Sequence, residues 1–299
     1  MSNINIAVAA DQSFVQHLAV MLASLHDNTA SPDRIKLYVI SSELEAEGFN
    51  RLKIFLNELN LDAEFIDFDD GLVNDYPVDG HIQISSYYRL FLHQLLPESC
   101  EECIYLDADL LVLDDISKFW NIDIKLNAIA GVLDSQSEPR DISLLGLKNG
   151  SEYINAGVLK INLAYWRNHK VHGIFKKFIE THRQYLLRHD QDVLNVCFDG
   201  AKLLVDQSWN LTRAPAFKSY LPLLFRQSSA MPKIVHYTSA FKPWNRDDPH
   251  PLRGLYWKYL KKTPWAGYRM PPITLRQRWN TFYLRMALIY FNLKRMMTR

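Results

Sequence analysis

Cysteine is scarce: Cys100, Cys103 and Cys197 are the three in 299 residues. So small and odd a number does not make a disulfide framework in a chain this long, and it fits a reducing compartment. The C-x-x-C of Cys100 and Cys103 has no second cysteine pair or closely spaced histidine pair to complete a zinc site, and is read as structural. Long apolar runs are missing too. A membrane span needs ~20 apolar residues, whereas the longest candidate, Met286 to Phe291, has six. The opening M-S-N-I-N-I-A-V-A-A-D has no basic region before its short apolar run, so no signal peptide is expected there. Acidic residues stop at Asp248, after which eleven Lys or Arg follow. The net charge of +1 therefore hides −10 over residues 1–248 and +11 over the last 51. Such an asymmetry points to a basic tail that meets an anionic surface.

The remainder is ordinary for a globular protein, with 48% hydrophobic and 22% charged residues. Ile4–Ala10 is a compact apolar run that reads as a buried first strand, and Arg34–Ser41 and Ala63–Phe68 read as the second and third. Between them, Phe14, Leu18, Leu22 and Leu25 recur at helical spacing behind Ser13 as N-cap, and Glu43–Leu59 is helical by pattern. Strand and helix in alternation predict an α/β fold, a mostly parallel sheet with helices on both faces, which binds ligands at the carboxyl ends of its strands. Ser85 or Ser86 opens a helix to about Leu96, with Arg89 one turn in. Tyr165–Leu187 predicts one long helix, and Asp190-Gln191-Asp192 opens a shorter one. Residues 134–152 read as a loop that serves as a lid.

One stretch stands out. The apolar run Cys103–Asp115 is broken once, by Asp107 and Asp109. Buried carboxylates are costly unless paired or metal-bound. Residues two apart on a strand share a face, so both can approach one hard cation. The plainer reading is a strand that ends in a polar turn. His236 ends another short apolar run, six residues before Lys242. Imidazole suits a manganese-like cation as a third ligand, and Lys suits phosphate as a point charge. Asp11, Arg89, Asn155 and Asp190-Gln191 likewise interrupt or end apolar segments. For the last pair, helix capping alone is a sufficient alternative reason. Gly157, inside the strand around Asn155-Ala156-Gly157, marks a close approach of backbone or ligand.

Six motifs in order carry a resemblance: V-A-A-D (Val8–Asp11), H-I-Q-I-S-S-Y-Y-R-L (His81–Leu90), Y-L-D-A-D (Tyr105–Asp109), N-A-G-V-L (Asn155–Leu159), D-Q-D-V-L-N (Asp190–Asn195) and H-Y-T-S-A-F-K-P-W (His236–Trp244). Together they resemble glycosyltransferase family 8, of GT-A fold, and within it bacterial lipooligosaccharide and lipopolysaccharide galactosyl- or glucosyltransferases. The resemblance implies that Asp11, with Ala9 and Ser13, faces the uracil and ribose of a UDP-hexose. It implies that Asp107, Asp109 and His236 coordinate Mn2+, with Mg2+ as the alternative, and that Lys242 contacts the diphosphate. Arg89, Asn155, Asp190, Gln191 and Asp134 would meet the donor sugar, with Gly157 also at the donor site. His81 and Ile82 would lie near donor and acceptor. Ser239 stands where the family commonly has Gly against the phosphate. Transfer would retain anomeric configuration, either through a nucleophile, for which Gln191 and Asp192 are the candidates with Asp190 beside them, or by same-face attack.

The resemblance also implies an acceptor in a lipid-linked oligosaccharide, and so a place on the cytoplasmic face of the inner membrane. Residues 1–250 would be the catalytic domain. Residues 251–299, basic and aromatic with Ile273–Met297 as a helix, would bind the anionic membrane as a peripheral segment. A nucleic-acid partner is not expected, because the acidic body opposes it. The alternatives are a glycogenin-like UDP-glucose glucosyltransferase and a catalytically silent nucleotide-binding protein at the membrane.

Overall fold

The structure, a computed structural model, describes residues 3–78, 83–124, 126–134, 143–148, 150–213, 231–246, 248–270, 279 and 286. A seven-stranded sheet has the order β3-β2-β1-β4-β7-β6-β8. The strands are β1 (Ile4–Ala9), β2 (Ile35–Ser41), β3 (Asp62–Asp67), β4 (Glu102–Leu106), β6 (Ile129–Leu133), β7 (Ile154–Asn162) and β8 (Lys202–Leu204). Pairing is parallel through β3-β2-β1-β4 and between β6 and β8. It is antiparallel where β7 sits between β4 and β6. The expected mostly parallel sheet is therefore present, with one antiparallel insertion.

Helices cover both faces. The first is α1 (Val15–Asn28), which buries Leu18, Leu22 and Leu25 in a core shared with β1, β2 and β4. Its expected cap is corrected: the N-cap position is Phe14, with no side-chain hydrogen bond, and Ser13 instead donates its N–H and hydroxyl to Asp11 Oδ1, which also accepts the Phe14 N–H, in the turn before the helix. The second helix is α2 (Glu47–Glu58). The opposite face carries α3 (Leu163–Asn168), α4 (Val171–His182) and α5 (Asp190–Cys197), around Trp166 and Phe175. The single long helix expected from Tyr165 is broken at Lys170, whose φ of 49° lies in the left-handed region. The segment expected as a helix from Ser85 is instead a 3-10 stretch, Ile84–Phe91, before a short α turn at Leu92–Leu95.

A second, two-stranded sheet pairs β5 (Leu110–Val112) with β9 (Ile234–His236), antiparallel, with Leu110 opposite His236. The helix α6 (Arg253–Leu260) packs on α1: Tyr256, Tyr259 and Leu260 are buried in the same core as Leu18 and Leu22. The Tyr256 hydroxyl meets His17 Nδ1 at 2.7 Å, and Asn28 donates to the Tyr259 hydroxyl at 2.8 Å. Residues 253–260, expected as part of a membrane segment, pack in the core with α1. Among the described residues no helix is long and apolar enough to cross a membrane. The expected helix Ile273–Met297 lies outside the described residues apart from 279 and 286, and the expected lid loses residues 135–142 and 149 in the same way.

Candidate active site

Strands β1 and β4 run parallel and adjacent, so Ala9 and Asp107 leave the sheet side by side. Asp107, Ala108 and Asp109 lie between β4 and β5, in a turn. Their convergence therefore does not come from strand alternation, which corrects the geometric reason expected above while leaving its outcome intact. Asp107 N–H donates to the Gly157 carbonyl at 2.9 Å, and Tyr237 N–H donates to the Asp109 carbonyl at 3.0 Å. The turn is thus held between β7 on one side and the end of β9 on the other.

This arrangement gathers Asp107, Asp109 and His236, whose ligand atoms all lie within 4.8 Å of one another. His236 Nε2 is 3.1 Å from Asp109 Oδ1 and 3.6 Å from Asp107 Oδ2. Two carboxylates and one imidazole nitrogen form a donor set that suits a divalent cation of the manganese kind. Gly157 makes the approach feasible: a Cβ there would collide with the His236 ring and with Asp107 Oδ2.

Two cations neutralise the carboxylates. Lys242 Nζ donates to Asp109 Oδ2 at 2.5 Å. Burial opposes ionisation of Asp109, but Lys242 and His236 more than offset it and hold its carboxyl far below the usual range. Arg89, 5% exposed, donates through Nη2 to Asp107 Oδ1 at 2.9 Å, and its Nε lies 3.0 Å from Asp190 Oδ2. Its other contacts are the carbonyls of Ser86 and Ala156 and the face of Tyr105. Burial pushes the Asp190 carboxyl up to about 6 against the opposing pull of Arg89.

These groups floor a cleft of about 730 Å³. Gln191 and Asp134 face it, joined by a Gln191 Nε2 to Asp134 Oδ2 hydrogen bond of 2.9 Å. Gln191 Oε1 accepts from Ala156 N–H and from Asn155 Nδ2, at 2.9 and 3.2 Å. Asp11 and Ser13 line an adjoining hollow that shares Gln83 and Ser85 with the cleft. Asp192 is not brought to the cleft: Oδ1 accepts the Tyr153 hydroxyl and Oδ2 the N–H groups of Leu187 and Arg188. Its candidacy as nucleophile is therefore corrected to a structural role, fixing the loop before α5. Ser239 has a φ of 80°, the left-handed region that favours glycine, and its Oγ has no hydrogen-bond partner among the described residues. His81 and Ile82 lie outside the described residues.

Asn210 was missed. It is 1% exposed, at the end of the 3-10 turn Gln207–Asn210, between His236 and Asn155. A lone Asn in a polar, loop-like region carries no sequence signal of that role.

Comparison with known proteins follows the same lines. The model of the family described as Glycosyl transferase family 8 matches residues 5–248. General stress protein A of Bacillus subtilis (strain 168) is 30% identical over 284 residues, which are 90% of this chain and 97% of that protein. Lipopolysaccharide 1,3-galactosyltransferase of Salmonella typhimurium is 24% identical over 286 residues, 91% of this chain and 82% of that one. Among solved structures, that of galactosyltransferase LgtC in complex with donor and acceptor sugar analogs shares the fold at a TM-score of 0.78 and 24% identity, covering 93% of this chain and 100% of that one.

Proposed function

The chain belongs to glycosyl transferase family 8, and from that premise we propose that it is a retaining, metal-dependent hexosyltransferase. It moves a hexose, galactose favoured over glucose, from a UDP-sugar to a saccharide acceptor of lipopolysaccharide or lipooligosaccharide. The observation that carries the reading is the convergence of Asp107, Asp109 and His236 with two cations, Arg89 and Lys242, at the floor of one cleft. A diphosphate leaving group needs that combination of ligands and positive charge. The similarity to a lipopolysaccharide galactosyltransferase supports the choice of a lipopolysaccharide acceptor.

Asp107, Asp109 and His236 would hold Mn2+, or Mg2+ in its place. When bound, the cation supplies charge stabilisation to the departing diphosphate. Lys242 presents its ammonium to the same phosphates. Asp11 and Ser13 line the hollow that takes the uridine, and Asp134, Asn155, Asp190 and Gln191 surround the sugar. Arg89 bridges Asp107 and Asp190 and fixes both in place.

Same-face attack fits the geometry better than a covalent intermediate. In that route the leaving diphosphate oxygen takes the acceptor proton. Gln191 Oε1 is already committed to the Ala156 N–H and to Asn155, and Asp192 points elsewhere. Membrane attachment at the cytoplasmic face of the inner membrane is assigned to the basic residues beyond 270, since residues 253–260 pack on the body.

The test is UDP release from a panel of UDP-sugars, with Mn2+ and with chelator. Release with UDP-galactose that stops on chelation is the expected result. Release that needs no metal and ignores the chelator overturns the metal reading, and release with UDP-glucose alone reverses the choice of sugar.

A further inference from the structure

We propose that Asn210 is a positioning residue that holds the proton of the His236 imidazole on Nδ1, so that the Nε2 lone pair is offered to a cation shared with Asp107 and Asp109. The inference rests on the reading of Asp107, Asp109 and His236 as a cation site, and goes beyond it by assigning how the neutral ligand is prepared.

The argument starts from two backbone N–H groups, whose donor character is not in question. Gly157 N–H points at one side-chain atom of Asn155 at 3.1 Å, so that atom is the oxygen Oδ1. Ala156 N–H likewise identifies the facing atom of Gln191 as Oε1, to which Asn155 Nδ2 donates. Asn155 is therefore oriented from both ends. Asn210 approaches Asn155 Oδ1 at 2.8 Å, and only its amide nitrogen can donate to an oxygen there. Its remaining atom, Oδ1, lies 3.0 Å from His236 Nδ1. An acceptor at that place requires a hydrogen on Nδ1. In a ring that ligates a cation through Nε2 the proton is then on Nδ1; with no cation between them, Nε2 would instead carry a hydrogen toward Asp109 Oδ1, 3.1 Å away. Amide and imidazole orientations are usually inferred from surroundings; here a fixed backbone polarity propagates through three side chains to the ring.

The placement is rigid. Leu211 N–H donates to the Ile234 carbonyl at 2.9 Å, and His236 N–H to the Leu211 carbonyl at 3.0 Å, so the residue after Asn210 is laced along β9. Asn210 and His236 are both nearly fully buried, at 1% and 3% exposed, which leaves no bulk water to substitute for the amide. A histidine ligand commonly donates its other N–H to such a partner, and loss of the partner typically costs about 10–100-fold in metal affinity.

The experiment has two arms on the full chain. Mn2+ affinity is measured by electron paramagnetic resonance for the wild type, Asn210→Ala and Asn210→Asp. Separately, the nitrogens of 15N-labelled histidine are read by long-range NMR in the wild type saturated with diamagnetic Mg2+. We expect a protonated Nδ1 in the wild type, a weakening of binding by about 10–100-fold in Asn210→Ala, and recovery of most of it in Asn210→Asp, which keeps an acceptor for Nδ1–H. A wild-type ring protonated on Nε2 overturns the inference without any variant having to fold. Unchanged affinity in Asn210→Ala also overturns it. Absence of Mn2+ binding by the wild type overturns the cation site itself, and the positioning role with it.

Discussion

Lys242 Nζ and Asp109 Oδ2 lie 2.5 Å apart, so one carboxylate belongs both to the proposed cation-ligand set and to an ion pair with the lysine proposed to meet the diphosphate. Lys242 is held in that place from behind. Its backbone neighbour Pro243 accepts Trp257 Nε1–H at 3.0 Å, and Trp244 stacks on His17 at a centroid distance of 3.4 Å. Replacing Lys242 by Met keeps the aliphatic stem and removes the charge. Turnover should fall by about 10²–10³-fold, as for loss of one group that stabilises a developing anion. Mn2+ binding should persist. A steady-state assay of UDP release beside a Mn2+ titration checks both.

Gln191→Ala distinguishes the two routes of retention. With same-face attack the loss comes only from the disturbed contacts to Asn155 and Asp134, a drop of about tenfold by analogy with removing one neutral positioning hydrogen bond. An obligatory nucleophile would cost about 10⁴-fold or more. Single-turnover kinetics with a saturating acceptor separate these outcomes, and a loss at the larger scale would sink the same-face route.

Two truncations separate the body from the tail. Ending the chain at 272 should leave turnover on a short soluble acceptor intact and abolish binding to anionic vesicles. Ending it at 250 removes Tyr256, Tyr259 and Leu260 from the core, and losses of large buried side chains cost about 2–5 kcal/mol each. That shorter chain should fail to fold. Sedimentation with vesicles and a melting curve report the two effects, and unchanged vesicle binding at 272 would remove the membrane assignment.

Acid should destabilise the fold through buried neutral histidines. Burial lowers His17 to about 3 and His93 to about 4. Their folded values lie below the ordinary 6.5, so between those limits the unfolded chain binds more protons. The stability is complete above pH 6.5 and is lost as pH falls toward 3–4, at up to about 1.4 kcal/mol per pH unit for each histidine. His17→Gln should flatten that slope in urea denaturation series from pH 7 to 4. A stability that rises on acidification over this range contradicts the sign.

Much of this was legible in the chain. The strands β1 and β2 follow from mostly apolar runs with helical spacing between them, because burial on both faces leaves little polar alternation, whereas the edge strand β3, DAEFID, is only half-buried. The metal triad and Lys242 are legible because each breaks such a run with a charge that needs a partner. Three features were not. The antiparallel entry of β7 between β4 and β6 depends on connectivity, to which local pattern is blind. Asp192 looks like its neighbour Asp190 in sequence, yet the first turn of α5 sends one toward Arg89 and the other to Tyr153 and two loop N–H groups. Asn210 depends on a contact with a residue 26 positions later. Lys170 shows the same limit for backbone: nothing in an apolar helical period announces a single left-handed residue.

The pairing of β5 with β9 has a kinetic consequence. It brings Asp109 to His236 across 127 residues of chain. Contacts of such sequence separation require closure of a long loop before they are rewarded, and they form slowly. The ligand set therefore does not exist in any species that has folded only its first half. A cation bound to it would hold that long-range seam shut, so the rate at which Mn2+ is captured during refolding would be a clock for its closure.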